Sequence, residues 1–448
     1  MRTFKLFNIR GDLFALGATS AGHMALRLGS SLILTRLLTP AAYGTMSIIV
    51  SIVLILVMLS DSGFAVCIVR SARGDDPRYL NTAWSLHICR AFINAGLMYF
   101  CAPLLARLYH SPILVAPLRV VALWFLIDGL ESPAFPVALR NKNSRIILYT
   151  ETVGSTVSTL FAIVYCYFSR DYWGMLYGYL LNRAVIVGIS HKLKLEFPLR
   201  FHIDWSAAKE MFEYTRYVMP SSMLTLFLNQ FDKAVFLRFF DLNLLGIYTL
   251  GTNLSGQVES IISRASTAVL YPRCAHNYRN ARESFSLKYY VENTKLFIAT
   301  LSMPAALGGA AHLVVSVLYD PRYARAAEVL QAFCVRAVLL ALASPAENML
   351  IASGESRIVL TGNVYRTIWT VGASLLGYRL FGFMGFTYGI ALSALPALAY
   401  YVWLQQKKGF LVVKYEVYKL AFVCGTACCA YLVSTFILSF WHGAHLRA

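Results

Sequence analysis

Charge is what this chain has least of. Only 14% of its 448 residues are Asp, Glu, Lys or Arg, against about 25% in a soluble domain. Carboxylates are the scarcer sign, with 22 Asp and Glu against 40 Lys and Arg. So little charge excludes a water-coated globule and leaves lipid as the main solvent. The nine cysteines lie inside or beside apolar runs without paired spacing, which excludes a disulfide framework. Cys424, Cys428 and Cys429 have no His or carboxylate close by in sequence, so they read as small buried residues and not as metal ligands. Nucleotide-driven transport lacks its motif as well. Gly17 to Gly22 imitates a phosphate-binding loop, but His23 stands where its lysine belongs. There is no HExxH and no Asp-x-Asp, since Asp75 and Asp76 are adjacent. No cofactor and no metal are expected, and transport energy falls to an ion gradient, the membrane potential or the substrate's own gradient. Long extramembrane loops are also missing. The outer loops reach only about ten residues, too short for a catalytic domain, so an enzyme is not expected.

What the chain has is hydrophobicity: 58% apolar residues and a mean hydropathy of +0.58. Thirteen segments approach the roughly 20 residues that a crossing needs. They lie near 13–35, 43–69, 83–108, 113–137, 146–168, 171–190 and 213–237, then near 244–270, 291–316, 325–350, 357–378, 384–405 and 415–440. The expected fold is an all-α integral membrane protein of twelve to fourteen helices in two six-helix lobes. Met1 to Arg10 is polar and basic and runs straight into the first span, as expected where no signal peptide is cleaved. Alternate loops hold 23 Lys and Arg on one side and 8 on the other. By the positive-inside rule this places the N-terminus in the cytoplasm. The net charge of +18 is then mostly topogenic, and nucleic acid is not an expected partner.

One junction occurs twice. Arg36-Leu37-Leu38 precedes Tyr43-Gly44, and Arg238-Phe239-Phe240 precedes Leu245-Gly246, 202 residues later. Two similarly oriented bundles joined in one polypeptide are the plan of a secondary transporter. The expected division is an N-terminal lobe over 1–195, a cytoplasmic linker over 196–212, a C-terminal lobe over 213–405 and an extra hydrophobic segment over 406–448.

Nine basic residues fall inside spans: Arg27, Arg90, Arg119, Arg183, Lys233, Arg264, Lys295, Arg336 and Arg366. An arginine at a helix centre costs about 2.5–3.5 kcal/mol to insert, so several together point to a wet, cationic cavity. The neighbours share helix faces: Ser20, His23, Arg27 and Ser30; His87, Arg90 and Asn94; Ser222, Thr225, Asn229 and Asp232; Asn253, Gln257, Ser260, Arg264 and Thr267; Asn363, Arg366, Thr370 and Ser374. Arg27, Arg264, Arg90, Arg366 and His23 are the candidate substrate-binding residues; the competing role for each arginine is a structural interhelical pair. Arg119, Arg183 and Lys295 sit near span ends, where snorkelling to headgroups is expected. Among the acidic residues, Glu259 and Glu347 lie deep enough to carry a coupling cation or proton, or to neutralise Arg264 and Arg336. Asp61 and Asp232 fit capping or pairing roles as well.

The residues also resemble a known family. Thr35 to Gly44, running on to Leu59-Ser60-Asp61-Ser62-Gly63, resembles the first hairpin of Wzx-type polysaccharide flippases of the multidrug/oligosaccharidyl-lipid/polysaccharide exporter superfamily. Asp232-Lys233 through Arg238, Gly246-Ile247-Tyr248 and Tyr271-Pro272 are similar to its seventh and eighth helices, and Leu123 to Arg145 to its fourth helix and basic loop. The likeness spans roughly 10–405. It implies a MATE-like bundle opening alternately inward and outward. Its implied cargo is an undecaprenyl-diphosphate-linked oligosaccharide, with functional arginines carried over to Arg27 and Arg264. The lipid bilayer and the polymerase and chain-length proteins of the same pathway are the implied partners. A cation-coupled multidrug or metabolite antiporter and a lipid II flippase are the sibling alternatives, and an O-antigen polymerase is the remote one. The resemblance does not reach sugar identity or coupling ion.

Overall fold

Every element in the computed structural model is helical, with no strand among the described residues, which are 22, 25–60, 63–141, 144–193, 197–213, 230–233, 235–280, 285–354 and 357–445. The physical reason is that hydrocarbon offers no partner to a backbone amide, so each span must satisfy its own.

The chain divides into two compact units, Met1–Leu245 and Gly246–Ala448. The first holds α1 (residues 25–37), α2 (Pro40–Leu59), α3 (Phe64–Arg70), α4 (Pro77–Leu108), α5 (Val115–Gly129), α6 (Ala134–Arg140), α7 (Ser144–Ser169), α8 (Trp173–Lys192) and α9 (residues 205–213). Helix α10 (Leu242–Ala265) begins at the division. The second unit continues with α11 (Tyr271–Asn280), α12 (Phe285–Gly309), α13 (Ala311–Leu318), α14 (Ala326–Ala352), α15 (Arg357–Ala391), α16 (Leu395–Lys407) and α17 (Val413–His445). Among the described residues, seven helices are long and apolar enough to span a membrane, or eight if the bent α12–α13 pair is one crossing.

Three expected spans are broken, and the turn between the expected spans 357–378 and 384–405 is found where the sequence placed it. The 43–69 run is helical only to Leu59 and resumes at Phe64 after Gly63 in a left-handed conformation (φ 60°). The 113–137 run stops at Gly129 and restarts at Ala134. The 291–316 run bends by 64° between α12 and α13. The stretch Arg357–Lys407 folds back on itself at Gly382 (φ 60°, ψ −134°). Its two arms meet through glycine: Gly377 lies on the Gly385 backbone, and a Cβ on Gly389 would sit 2.5 Å from the Ala373 carbonyl oxygen. Close backbone approach through small residues is how helices associate where no hydrophobic effect separates them from lipid. The cysteines of α17 differ from expectation: Cys424, Cys428 and Cys429 are exposed. That helix packs chiefly on α12 and leaves most of its circumference open.

The repeated junction has one physical meaning in both copies. Thr39 caps α2, its Oγ1 accepting from the Ala42 amide at 3.3 Å. Asp241 stands three residues beyond Arg238, as Thr39 does beyond Arg36, and its Oδ1 accepts from the Leu244 amide at 2.8 Å. Each glycine is the fifth residue of its helix, Gly44 in α2 and Gly246 in α10. The recurring unit is thus arginine, tight turn, side-chain cap and helix.

The segment between α8 and α10 is docked rather than loose where it is described. Amides of Arg200, His202 and Asp204 donate to Asn81 Oδ1 (3.0 Å), Ser85 Oγ (2.9 Å) and Thr82 Oγ1 (2.9 Å) on α4. Helix α9 then buries Ala207 and Met211 against Phe64, Ile68, Tyr79 and Leu80.

Candidate functional site

In the first unit, the apolar faces of α4, α5 and α8 bring five titratable side chains together. Asp128 sits at the end of α5. Arg183 Nη2 lies 2.5 Å from its Oδ1 and also pairs with Glu131. Arg90 Nη2 reaches Asp128 Oδ2 at 3.4 Å, and His87 Nε2 lies 3.5 Å from the same oxygen. His87 also touches the Asp128 carbonyl oxygen at 3.0 Å and Arg90 Nη2 at 3.1 Å. The Arg183 guanidinium lies over Trp124, 5.6 Å from its centroid, and Trp124 stacks on Tyr179 at 5.7 Å. Two arginines thus face two carboxylates, and the cluster is internally neutralised.

The second unit has a different balance. Arg336 on α14 is matched by Glu259 on α10 through two hydrogen bonds of 2.9 and 2.8 Å. Arg366 on α15 is not matched. Among the described residues it has no ion pair, and its buried Nε lacks a hydrogen-bond partner. Its charged or polar neighbours are Arg336, Tyr401, Glu259 and Glu347. Glu347, two residues beyond Pro345 inside α14, also makes no ion pair among the described residues. A partnerless guanidinium in a span retains donors for an incoming anion.

The polar stripe of α10 is an exposed face. Asn253, Ser260, Arg264 and Thr267 are exposed, while Leu254, Val258 and Ile262 are buried. Such a face on a membrane-length helix needs water beside it. Immediately after α10, a π turn over Ser266–Leu270 directs Ser266 Oγ to Ser344 Oγ (2.7 Å) and Asn348 Nδ2 (3.0 Å).

Of the residues singled out by sequence, Arg27 on α1 and Arg264 on α10 are exposed. Arg90 is drawn into the ion cluster, and Glu259 is held by Arg336. Asp232 is buried. His23 and Asp61 lie outside the described residues, as do Ser222, Thr225 and Asn229. Arg183 does not snorkel: its side chain is 17% exposed and bound by two carboxylates. Sequence reasoning put His87 and Arg90 on one helix face but did not join them to Asp128, Glu131 and Arg183. The available signal was a pair of carboxylates three residues apart at a span end, which demands cations from another helix. Among the described residues, no group of three or more His, Cys, Asp and Glu is placed to hold a metal ion.

Membrane-length helices define a multi-pass membrane protein. The fold is shared with solved membrane transporters. It aligns with the lipid II flippase MurJ in an inward closed conformation at a TM-score of 0.71 and 11% identity, over 95% of this chain and 98% of that one. An inward-facing multidrug resistance MATE transporter aligns at 0.65 and 15% identity, over 86% and 94%. The chain belongs to the polysaccharide biosynthesis protein family, whose pattern matches residues 33–328. It is 23% identical to the teichuronic acid biosynthesis protein TuaB of Bacillus subtilis over 336 residues. That match covers 72% of this chain and 65% of TuaB, just under two thirds of that protein's length. It is 21% identical to the lipopolysaccharide biosynthesis protein WzxC of Escherichia coli over 386 residues, 84% of this chain and 77% of WzxC.

Proposed function

We propose that this protein is a flippase. It moves polyprenyl-diphosphate-linked oligosaccharide repeat units across the cytoplasmic membrane by alternating access, for O-antigen, capsule or exopolysaccharide synthesis. Family membership supports transport in polysaccharide assembly, and the observation that carries the reading is Arg366. Arg90, Arg183 and Arg336 each have a carboxylate partner, whereas Arg366 keeps an unanswered charge inside the membrane. A diphosphate is the part of such a cargo that needs it. The guanidinium fork matches phosphate oxygens in shape and charge.

In this reading Arg366 and Arg264 receive the diphosphate in the second unit, and Arg27 and His23 are substrate-binding residues of the first. The hydroxyls and amides of the α10 stripe meet the sugars. Arg90 acts through the Asp128 cluster, holding helices. Glu347 is the carboxylate available to a coupling proton or cation, while Glu259, Asp61 and Asp232 are structural. The N-terminus lies in the cytoplasm, and the polymerase and chain-length proteins of the pathway are the partners.

The test is the accessibility of lipid-linked oligosaccharide in a deletion strain to an outside-acting lectin or glycosidase. Cargo is expected inside the deletion strain and outside again when the wild type, but not Arg366→Ala, is restored. Cargo that reaches the outer leaflet of the deletion strain yet stays unpolymerised would overturn the flippase and favour a polymerase.

A further inference from the structure

A second basic site lies away from the intramembrane arginines. Helices α11 and α12 flank an open pocket of about 490 Å³ lined by Pro272, Arg273, His276, Asn277, Lys288 and Glu292. Arg273, His276 and Asn277 follow three- and four-residue steps along α11, so they share one face. Lys288 and Glu292 face them one turn apart on α12.

The two helices are fastened by neutral amides. Arg273 Nη1 donates to Asn293 Oδ1 at 2.9 Å, and Asn277 Nδ2 donates to Glu292 Oε2 at 2.8 Å. Asn293 orients Arg273 without neutralising it, and among the described residues Arg273 has no ion pair. Glu292 is already engaged by Asn277 and meets Lys288 only at 3.9 Å, with both side chains over 40% exposed. An exposed pair of that kind contributes little, so the ammonium can turn to a ligand at small cost. The same two helices, with the turn before α11, carry a buried cluster of Leu270, Cys274, Phe285, Tyr289 and Tyr290, with Tyr278 edge-on to Phe285 at 5.1 Å.

Arg273 and Lys288 outweigh Glu292, and His276 adds a ring nitrogen at the rim. A divalent cation would meet two fixed positive charges here. An anion with several oxygens would meet a planar fork and a mobile point charge. We infer that the α11–α12 pocket binds a phosphate or diphosphate ester, separately from Arg366 and independently of the flippase reading. The same chemistry is offered by a free diphosphate and by the headgroup of an anionic membrane lipid.

The experiment uses the full chain in phosphatidylcholine nanodiscs titrated with inorganic pyrophosphate by calorimetry. A parallel sample contains phosphatidylglycerol and is read by native mass spectrometry for retained lipid. The wild type is expected to bind, and Arg273→Ala/Lys288→Ala to bind about tenfold more weakly or worse, as loss of two charge-assisted contacts implies. The double variant should melt somewhat lower, having lost the hydrogen bond to Asn293, and Arg322→Ala, outside the pocket, should bind as the wild type does. Should the double variant fold poorly, Lys288→Glu on the exposed face of α12 replaces it with the same expected loss. Retention of phosphatidylglycerol without pyrophosphate binding, abolished by the same variants, supports the site and assigns it to a lipid headgroup. No binding of either probe, or equal binding by wild type and variants, overturns the inference.

Discussion

Arg336 grips Glu259 with two parallel hydrogen bonds, Nε to Oε1 at 2.9 Å and Nη2 to Oε2 at 2.8 Å, while its guanidinium lies 4.6 Å from the Phe333 ring centroid. This two-pronged pair joins α10 to α14, 77 residues apart in the chain. Arg366, also close by, has no such partner. The contrast separates an arginine that ties α10 to α14 from one whose guanidinium has no ion pair among the described residues.

Breaking the pair on one side should be costly. Glu259→Gln leaves a half-buried cation without its counter-charge, for which the expected loss is about 1–3 kcal/mol. Glu259→Leu/Arg336→Met, which removes both charges, should recover much of it. Thermal unfolding in nanodiscs measures both, and a Glu259→Gln protein as stable as the wild type would refute the clamp.

Asp128 answers Arg90, Arg183 and His87 at once. Asp128→Asn should therefore lower the melting temperature more than Glu131→Gln, which disturbs only the ion pair with Arg183 among the described residues. Export per folded molecule should fall less than the yield of folded protein. Quantitative blotting beside the lectin assay separates the two.

Arg366 should behave in the opposite way. Arg366→Ala removes no ion pair, so the melting temperature is expected within about 0.5 kcal/mol equivalent of wild type or slightly higher. Outside-accessible cargo should nevertheless disappear. Arg366→Lys keeps the charge and loses the fork, and should restore export only in part.

The α15 hairpin offers a steric test. Gly389→Ala places a Cβ 2.5 Å from the Ala373 carbonyl oxygen, against backbone that cannot swing aside. The expected loss is about 1–3 kcal/mol. Gly372 has nothing within 4 Å of its would-be Cβ, so Gly372→Ala should be neutral by the same unfolding measurement.

Docking of the connector should depend on pH. Hydrogen bonds from Ser206, with Arg73 beside it, hold the Asp204 carboxyl below its ordinary value. A depressed folded pKa gives stability that is present above the unfolded value, about 3.9, and lost as pH falls through the lower folded one. Hydrogen exchange at residues 200–206 should be slow at neutral pH and rise on acidification below that range. Asp204→Asn should exchange fast at neutral pH, with a flatter profile. Identical profiles for both would show that Asp204 does not fasten the connector.

Hydropathy made the helical class legible, and the twice-written arginine–glycine junction marked two helix starts correctly. It marked them through the wrong residue, because the structural cue is the cap at Thr39 and Asp241 and the glycines lie a turn inside. Breaks were less legible. A window average across Ser60 to Gly63 or Leu130 to Pro133 stays apolar whether the backbone continues or turns. The Arg183 error has the same origin: position along a span predicts depth but not which neighbouring helix stands opposite.

Composition and apolar run length, which are sums along the chain, were enough to determine that this protein lives in a membrane, is helical and carries charges it must shelter. Which charges answer one another was decided only by tertiary structure. Arg90 and Asp128 are 38 residues apart and Arg183 and Glu131 are 52. Whether such pairs meet depends on the rotation of each helix about its axis, where one residue is about 100°. A few degrees of packing accumulated over several helices therefore separate a neutralised arginine from Arg366.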